Sequence, residues 1–493
     1  MKNKLTRRDF IRIGALGGGG LLLAACGSSG EEPKQQKTGS PAPAKDSVPA
    51  VNATAAAGEQ NVTFIKKGDP LYDPLRQGFN KNVDKYPLVI ALCKSTADVA
   101  EAIRYAAENK LAVAVKSGGH SVEGFSCNTG GMVVNLSQLN GIEWLDEETV
   151  KIGPGCTLSK LYDELLPEKR IIPAGSCGTV GIGGLATGGG YGFFGRKYGL
   201  TCDSLMKVTL VDGQGKIHDS DNEPELLWAC RGGGGGNFGV VTEMVFKTYP
   251  APETFTSHRF KSAGLDAARA NTLLEKWMEV AVILPDSCYS AFVLNGKSLT
   301  ILLTNYEKHT PQVQSVFDAL AAVSDKATAG NPVTLSKALK NYYGYDKPIY
   351  FKISSAGVYK DYEEIRPFAA ELLAIVTQSP GMIYQLGTIG GKISDAELEK
   401  NSCFPHRAKP FLSELQIYWE NAGGGQNQLA KFNSVQQLVK ENNMTAHYVN
   451  YANLDFEDPG HAYYGKNYER LQQVKKKYDP ENTIRHGQSV KPV

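Results

Sequence analysis

Short apolar runs, separated by polar and glycine-rich turns, organise the first half of this chain. Residues 88–93 and 112–116 are apolar runs of strand length. Between them, Ser95 with Asp98 three residues later predicts a capped helix that runs to about residue 109. Further strands are predicted at residues 132–136, 149–152, 207–211 and 240–249, and a short helix at 158–166. The mixture predicts an α+β lobe with glycine turns at one end of its strands.

The pattern changes at about residue 250, after which longer helical segments alternate with strands. The predicted helices lie at residues 265–283, 312–324 and 362–378, and the predicted strands at 299–306, 384–388 and 413–419. Residues 448–454 lead into a last predicted helix at 467–477. The simplest assembly is an antiparallel sheet flanked by helices, so a chain of 493 residues is expected to form two or more lobes.

Composition narrows the functional classes. Hydrophobic residues make up 42% of the chain and charged residues 21%, which is typical of a globular protein with a substantial core. The formal net charge is +2, so we expect no nucleic-acid partner. Nothing in the sequence indicates the oligomeric state.

The first 26 residues predict a targeting segment. Arg7 and Arg8 resemble a twin-arginine signal, and the following apolar stretch ends at Cys26 in a sequence that resembles a bacterial lipobox. This pattern predicts twin-arginine export and lipid anchoring through Cys26 to the bacterial membrane or cell surface. The alternative is a short membrane anchor with an incidental cysteine. Residues 27–60 are rich in Ser, Pro, Ala, Lys and Gln, and predict a flexible tether.

Nine cysteines are present, and apart from Cys26 and Cys177 they are scattered without metal-ligand spacing. We therefore expect no metal site. Buried thiols are favoured for these seven, although one disulfide is possible in an oxidising compartment, and the sequence does not choose its partners.

Two glycine-rich stretches carry the candidate chemistry. Residues 173–203 contain several runs of glycine with Cys177 near their start, and residues 116–121 form a second glycine turn around His120. Glycine permits positive φ and lets backbone N–H groups approach an anion such as a pyrophosphate. Neither stretch matches the dinucleotide-binding fingerprint or the P-loop, and either one alone is more typical of a turn than of a cofactor cradle.

Together, these motifs resemble the berberine-bridge-enzyme-like flavoproteins, which have the vanillyl-alcohol-oxidase fold with a PCMH-type FAD-binding domain. The resemblance extends from residue 86 to the end of the chain, and it is carried by SGGHSVEG at 117–124, AGSCGTVGIGG at 174–184, GGGYG at 188–192 and RKYGL at 196–200. It implies FAD bonded covalently at two points, with His120 on the flavin 8α-methyl group and Cys177 on flavin C6.

The resemblance also implies a division of the chain and a set of cofactor contacts. The FAD-binding domain would span residues 61–250 and the substrate-binding domain 251–445, with a C-terminal segment at 446–493 returning to the FAD-binding domain. The residues implied around FAD are Lys116, Ser117, Gly118, Gly119, His120, Ser121, Gly124, Cys177, Thr179, Val180, Gly183, Gly184, Gly189, Gly190, Tyr191, Gly192, Gly239, Val240, Val241, Asn450, Tyr451 and Asn467.

Candidate catalytic residues lie near the end of the chain. Glu414 and Gln416 share one face of an extended segment. The resembling family has a polar residue over the flavin at the position of Gln416, and some members use glutamate there as a base, which glutamine cannot be. The resemblance therefore implies Tyr451 as the base, with Tyr191 as a substrate contact and Glu414 orienting the substrate. The alternative for Tyr451 is a packed aromatic with a satisfied hydroxyl.

Two positions bear on flavin reactivity. Many members of the family have histidine where this chain has Leu185, which donates no hydrogen bond to the flavin. In the family, the position of Val180 gates dioxygen, and valine accompanies oxidase activity. The resemblance therefore implies an oxidase rather than a dehydrogenase.

The predicted activity is hydride transfer from an alcohol or hemiacetal carbon to flavin N5, followed by reoxidation by dioxygen to give hydrogen peroxide. Aromatic residues in the second half suit stacking on a sugar or oligosaccharide, although core packing explains most of them equally well. They are Tyr342, Tyr343, Tyr345, Tyr350, Tyr418 and Trp419. The alternatives are an oxidase of a small aromatic or secondary metabolite, and a flavin-carrying surface lipoprotein without turnover.

Overall fold

The structure, a computed structural model, describes residues 62–493 and confirms the predicted α+β class. The first lobe contains two open sheets. In the first sheet the order is β1-β2-β4-β3, with β2, β4 and β3 parallel and β1 antiparallel to β2. Its strands are β1 (Thr63–Ile65), β2 (Val89–Leu92), β3 (Val113–Lys116) and β4 (Met132–Asn135).

The helix Thr96–Glu108 connects β2 to β3 and begins at the predicted cap. The Ser95 side chain accepts the Asp98 N–H at 3.1 Å, and the Asp98 carboxylate accepts the Ser95 N–H at 3.2 Å. These two bonds satisfy N–H groups that the first helical turn leaves free.

The second sheet of this lobe is antiparallel, with the order β5-β6-β10-β8-β9. A short two-stranded sheet pairs β7 with β11 beside it. These strands are β5 (Ile142–Trp144), β6 (Thr149–Ile152), β7 (Arg170–Ile171), β8 (Leu205–Val211), β9 (Ile217–Asp219), β10 (Val240–Lys247) and β11 (Tyr249–Pro250).

The second lobe is a single antiparallel sheet with the order β15-β12-β14-β13-β18-β19-β17, and β16 also pairs with β12. The strands are β12 (Thr254–Ser262), β13 (Cys288–Asn295), β14 (Ser298–Asn305), β15 (Lys326–Thr328), β16 (Val333–Thr334), β17 (Tyr350–Tyr359), β18 (Met382–Thr388) and β19 (Phe411–Trp419).

The two faces of this sheet pack against different partners. Side chains alternate along β19, so Leu415 and Ile417 join the core formed with the helices. Glu414, Gln416 and Tyr418 lie on the opposite face, and Tyr418 joins the core shared with the first lobe. The covering helices are Ala267–Ala281, Pro311–Val323, Arg366–Thr377 and Gln426–Glu441.

The end of the chain lies against the first lobe. Arg485 N–H donates to Val113 O at 3.0 Å beside β3. The buried Lys475 ammonium donates to Asn237 O, Ile484 O and the Asp479 carboxylate, each at 2.6 Å. The tail therefore packs along β3, the edge strand of the first sheet.

The remaining helices are short, and within residues 62–493 none of the helices has the length and apolar character needed to span a membrane. They are Tyr72–Arg76, Leu158–Leu165, Ile182–Thr187, Gly195–Tyr198, Pro224–Cys230, Leu335–Lys340, Ala396–Lys400, Pro459–Tyr464 and Tyr468–Tyr478.

Candidate active site

A cavity of about 210 Å³ lies in the first lobe, and residues of the C-terminal segment complete its wall. Three glycine-rich segments form much of its wall, at residues 117–121, 175–187 and 234–239. Apolar side chains such as Val115, Leu158 and Leu210 fill the spaces between them. The wall therefore combines exposed backbone with apolar surface.

Glycine is required where the first two segments meet. A Cβ built on Gly118 would lie 2.3 Å from Gly181 N, and one built on Gly181 would lie 2.1 Å from Ser117 Oγ. No side chain fits at either position, because such distances are far inside van der Waals contact. This backbone contact brings His120 and Cys177 to the same part of the cavity.

The His120 ring is fixed on two sides. It stacks on Phe79 with ring centroids 4.2 Å apart, and its Nε2 lies 2.9 Å from Thr179 Oγ1. Burial lowers the pKa of His120 to about 4, so the imidazole is neutral at physiological pH. Its partial exposure is exposure to the cavity that it lines.

Cys177 also lines the cavity, and its thiol is free. Burial raises the pKa of this thiol, while the Thr179 hydroxyl and the backbone N–H groups of Thr179 and Val180 oppose the shift. The net effect is a raised pKa, so burial favours the protonated thiol and these donors only partly offset it.

Tyrosine hydroxyls form a network at the boundary between the lobes. Tyr191 Oη and Tyr451 Oη are 2.7 Å apart. Tyr448 Oη accepts the Gly190 N–H and the Asn450 amide, both at 2.9 Å. Both Tyr191 and Tyr451 line the cavity, so the structure brings together these two predicted catalytic residues.

Glu414 lies close to this network and is 1% exposed. Burial raises the pKa of Glu414 to about 8, although the side chains of Gln416 and Tyr451 oppose this increase. Within the part of the chain that the structure describes, neither carboxylate oxygen makes a hydrogen bond. Gln416 Oε1 instead accepts the hydroxyl of Tyr418 at 2.7 Å. Glu414 is therefore a buried acid that ionises near neutral pH and retains its hydrogen-bonding capacity.

The same surroundings act on the tyrosines. Burial raises the pKa of Tyr451 well above its ordinary value of 10, and the Glu414 charge raises it further. The pKa of Tyr191 shifts in the same direction for the same two reasons. A phenol in this position holds its proton, so Glu414 is better suited than Tyr451 to be the final proton acceptor.

Most of the predicted cofactor contacts line the cavity, but several do not. Lys116 instead donates to Leu75 O and Gln77 O, and Asn467 donates to Cys403 O. Val240 points away from the cavity because side chains alternate along β10 and its neighbour Val241 lines the wall. The others that lie outside the wall are Gly124, Thr179, Gly189, Gly190 and Gly192.

The sequence patterns missed the part of the wall that comes from the C-terminal tail. Arg485, His486 and Gln488 line the cavity, and His486 stacks on Phe125 with ring centroids 4.2 Å apart. Burial lowers the pKa of His486 to about 3, so this ring is also neutral. No spacing or motif singles out these residues, since they are brought to the cavity by the tail.

The cavity suits a long cofactor with apolar rings and a charged middle. Beyond its own helix and chain neighbours, a Cβ built on Gly184 would meet no atom of the described residues within 4 Å, so the bare backbone leaves space for a ligand. Glycine-rich backbone of this kind can hold a pyrophosphate, and the apolar wall can hold aromatic rings. His120 and Cys177 line the same cavity as the tyrosine network.

Comparison with known proteins identifies the cofactor class. A family model described as "FAD binding domain" matches residues 87–221, and one described as "Berberine and berberine like" matches residues 447–491. YvdP, an uncharacterized FAD-linked oxidoreductase of Bacillus subtilis, is 31% identical over 456 residues, covering 87% of this chain and 97% of that protein.

This chain belongs to the berberine-bridge-enzyme-like FAD-linked oxidoreductases. Its cofactor is FAD, and the expected family and enzyme class are confirmed. Chitooligosaccharide oxidase of Gibberella zeae is 29% identical over 446 residues, covering 84% of this chain and 89% of that protein. The structure of Physcomitrella patens BBE-like 1 shares the fold, with a TM-score of 0.79 and 23% identity over 87% of this chain and 96% of that one.

Proposed function

We propose that this flavoprotein is an oxidase of carbohydrate alcohol or hemiacetal groups, with FAD bonded to His120 and Cys177. The observation that carries the proposal is that Tyr191 and Tyr451 line the same cavity as His120 and Cys177, while the charge of the buried Glu414 acts on both tyrosines. Bound FAD supplies the hydride acceptor, and dioxygen takes the electrons from it to give hydrogen peroxide.

The protein's own contribution is to remove the hydroxyl proton as the hydride leaves. Without this step, a positively charged carbonyl-like centre would develop on the substrate. In this proposal Tyr451 hydrogen-bonds the reacting hydroxyl, and the proton passes through Tyr451 to the Glu414 carboxylate. This differs from the prediction that Tyr451 is the base, because burial raises the pKa of Glu414 to about 8 and that of Tyr451 well above 10.

Carbohydrate is supported by a relative's activity and by one aromatic ring. The Gibberella zeae relative is named as an oligosaccharide oxidase. Tyr343 is half-buried, and its ring lies against Gly178, where an added Cβ would come within 2.9 Å of it. The ring thus lies against the residue that follows Cys177, and in this proposal a sugar stacks on its exposed part. Tyr342 is instead buried in the core with its hydroxyl on Ser257, and Trp419 belongs to the core under the helices.

Peroxide release on a substrate panel tests the activity. Cello-, xylo- and chitooligosaccharides are compared with small aromatic alcohols while flavin absorbance is followed. Peroxide with an oligosaccharide supports the proposal, and peroxide with aromatic alcohols alone favours the small-metabolite alternative. Flavin reduction without peroxide would indicate a dehydrogenase, and a flavin that no substrate reduces would favour a carrier without turnover.

We also propose that the protein is exported by the twin-arginine route and anchored through Cys26. The twin arginines and Cys26 lie outside the residues that the structure describes, and the support is their sequence pattern. Cys26→Ser should move the protein from the membrane fraction to soluble or uncleaved forms. An unchanged cytoplasmic distribution of both proteins would refute the proposal.

A further inference from the structure

Thr179 lies between the two proposed attachment residues. Its Oγ1 is 2.9 Å from His120 Nε2 and 3.9 Å from Cys177 Sγ. The side chain is behind the cavity wall rather than part of it. Thr179 therefore acts on a bound cofactor through His120 and Cys177.

The hydrogen bond to Thr179 leaves the other ring nitrogen of His120 available. Among residues 62–493, Nδ1 makes no hydrogen bond, whereas Nε2 bonds to Thr179 Oγ1. A neutral imidazole carries a proton on one nitrogen and a lone pair on the other. When the Nε2–H donates to Thr179, the lone pair is on Nδ1, and Phe79 stacking keeps the ring from turning.

The Thr179 hydroxyl can make both contacts at once, because it can accept one hydrogen bond while it donates another. The oxygen accepts from His120 Nε2–H, and the hydroxyl hydrogen is then free to point at Cys177 Sγ. Donation to sulfur favours the thiolate, in agreement with the lowering effect of Thr179 on the pKa of Cys177. The arrangement orients His120 and partly offsets the burial that disfavours the Cys177 thiolate.

We propose that Thr179 is a positioning residue for covalent flavin attachment, directing His120 to react through Nδ1 and assisting Cys177. The proposal rests on the attachment of FAD to both residues proposed above. Thr179 forms no bond to the cofactor.

The attachment chemistry balances with dioxygen as oxidant. At His120, a bond from Nδ1 to the 8α carbon replaces one C–H bond and the Nε2–H bond. At Cys177, a bond from sulfur to C6 replaces the C6–H and S–H bonds. Each event leaves two protons and two electrons on the ring system, and dioxygen removes them as hydrogen peroxide. Nε2 has then lost its proton and can accept one from the Thr179 hydroxyl, which changes from acceptor to donor.

The test compares Thr179→Val, which keeps the shape and loses the hydroxyl, with Thr179→Ser, which keeps the hydroxyl. Each is also made with Cys177→Ala or His120→Ala, so that a single attachment is measured at a time. Purified proteins are aged in air and denatured in acid. Intact mass and in-gel flavin fluorescence then give the covalent fraction over time.

We expect Thr179→Ser to form both bonds at close to the wild-type rate. Thr179→Val should bind FAD but form each bond about tenfold more slowly, the effect of losing one hydrogen bond. Attachment in Thr179→Val as fast as in Thr179→Ser would overturn the proposal. If Thr179→Val binds no FAD, Thr179→Ala takes its place, because it removes the hydroxyl without adding volume. Its attachment rates are then compared with those of Thr179→Ser in the same way. A wild type that releases all its flavin in acid would instead refute the covalent attachment itself.

Discussion

The hydroxyls of Tyr191 and Tyr451 lie 2.7 Å apart and share one hydrogen bond. One of the two hydrogens is used within the pair, which leaves the other for an acceptor outside it. Glu414 is the carboxylate whose charge acts on the pKa of both tyrosines. The pair therefore lies in the cavity wall, within the field of a buried acid.

Tyr451→Phe should lower the rate of flavin reduction by substrate by about 10²-fold, since general acid–base contributions have this size. The fold and the covalent flavin should be unaffected. Tyr191→Phe is the matched control, because it leaves the Tyr451 hydroxyl in place and should have a smaller effect. Anaerobic stopped-flow reduction gives both rates. A Tyr451→Phe rate within a few-fold of wild type would exclude Tyr451 from the proton path.

Glu414→Gln should also slow reduction by about 10²-fold, because glutamine does not accept the proton. In the wild type the rate should rise with pH through about 8, the pKa to which burial raises Glu414, since the carboxylate is the active form. Glu414→Gln should lose this rise. A variant that keeps the wild-type pH profile would place the base elsewhere.

The raised pKa of Glu414 can also be tested through the pH dependence of protein stability, without measuring turnover. The pKa of Glu414 is raised in the folded protein from its ordinary 4.5 to about 8. Between these values the folded state holds a proton that the unfolded state has lost, so stability should fall as pH rises. The difference between wild type and Glu414→Gln in urea unfolding isolates this contribution. We expect the wild type to lose stability relative to the variant over that range.

Parts of the fold and site could be predicted because their causes are local. The helix Thr96–Glu108 begins at a capping box written in four consecutive residues, and the glycine motifs mark backbone contacts that exclude side chains. The helix Gln426–Glu441 was missed, because its residues are mostly polar and few apolar positions face the core. The strand β17 was also missed, since it is buried along almost its whole length and shows little alternation.

The roles of the site residues depend on tertiary contacts that no motif contains. Phe79, which stacks on the His120 ring, lies in a loop about 40 positions earlier in the sequence. His486, which stacks on Phe125, comes from the C-terminal end of the chain. Sequence position suggested that Glu414 orients substrate. Its burial beside Tyr451, which raises its pKa, became visible only with the two lobes together.

Val180→Leu should slow the reaction of the reduced enzyme with dioxygen. Val180 lines the cavity directly after the Cys177 turn, and it is 9% exposed, so one more methylene would narrow the space at the cofactor. We expect reoxidation to slow by about tenfold, because adding one methylene to a packed space typically costs about 1–3 kcal/mol. Reduction by substrate should be nearly unchanged, and Val180→Ala should not slow reoxidation. A wild type that reoxidises only with an added dye would contradict the dioxygen-gate interpretation.

A buried ion pair joins the lobes beside the site. Arg407 Nη1 and Nη2 donate to the two Asp203 oxygens at 3.0 and 2.6 Å, and the two side chains are 1% and 2% exposed. Arg407→Met should lower the free energy of unfolding by about 3–5 kcal/mol, because it leaves Asp203 charged and buried without its partner. Arg366, whose side chain is 52% exposed in its pair with Glu363, provides the control. Arg366→Met should cost less than about 1 kcal/mol.

A double variant separates two effects of removing Arg407: the cost of leaving the Asp203 carboxylate buried without a partner, and the loss of the Arg407–Asp203 contact itself. Asp203 also accepts the Leu200 N–H at 2.8 Å, and an asparagine oxygen can keep that bond. Adding Asp203→Asn to Arg407→Met removes the unpaired carboxylate and should recover about half of the lost stability, since most of the penalty for breaking a buried pair comes from the remaining charge. Urea unfolding, followed by tryptophan fluorescence, gives all four values. If the double variant is no more stable than Arg407→Met, the stability lost in Arg407→Met comes from the bonds of Arg407 within its own lobe, to Ile393 O and Ser402 Oγ at 2.9 and 2.7 Å, rather than from the ion pair between the lobes.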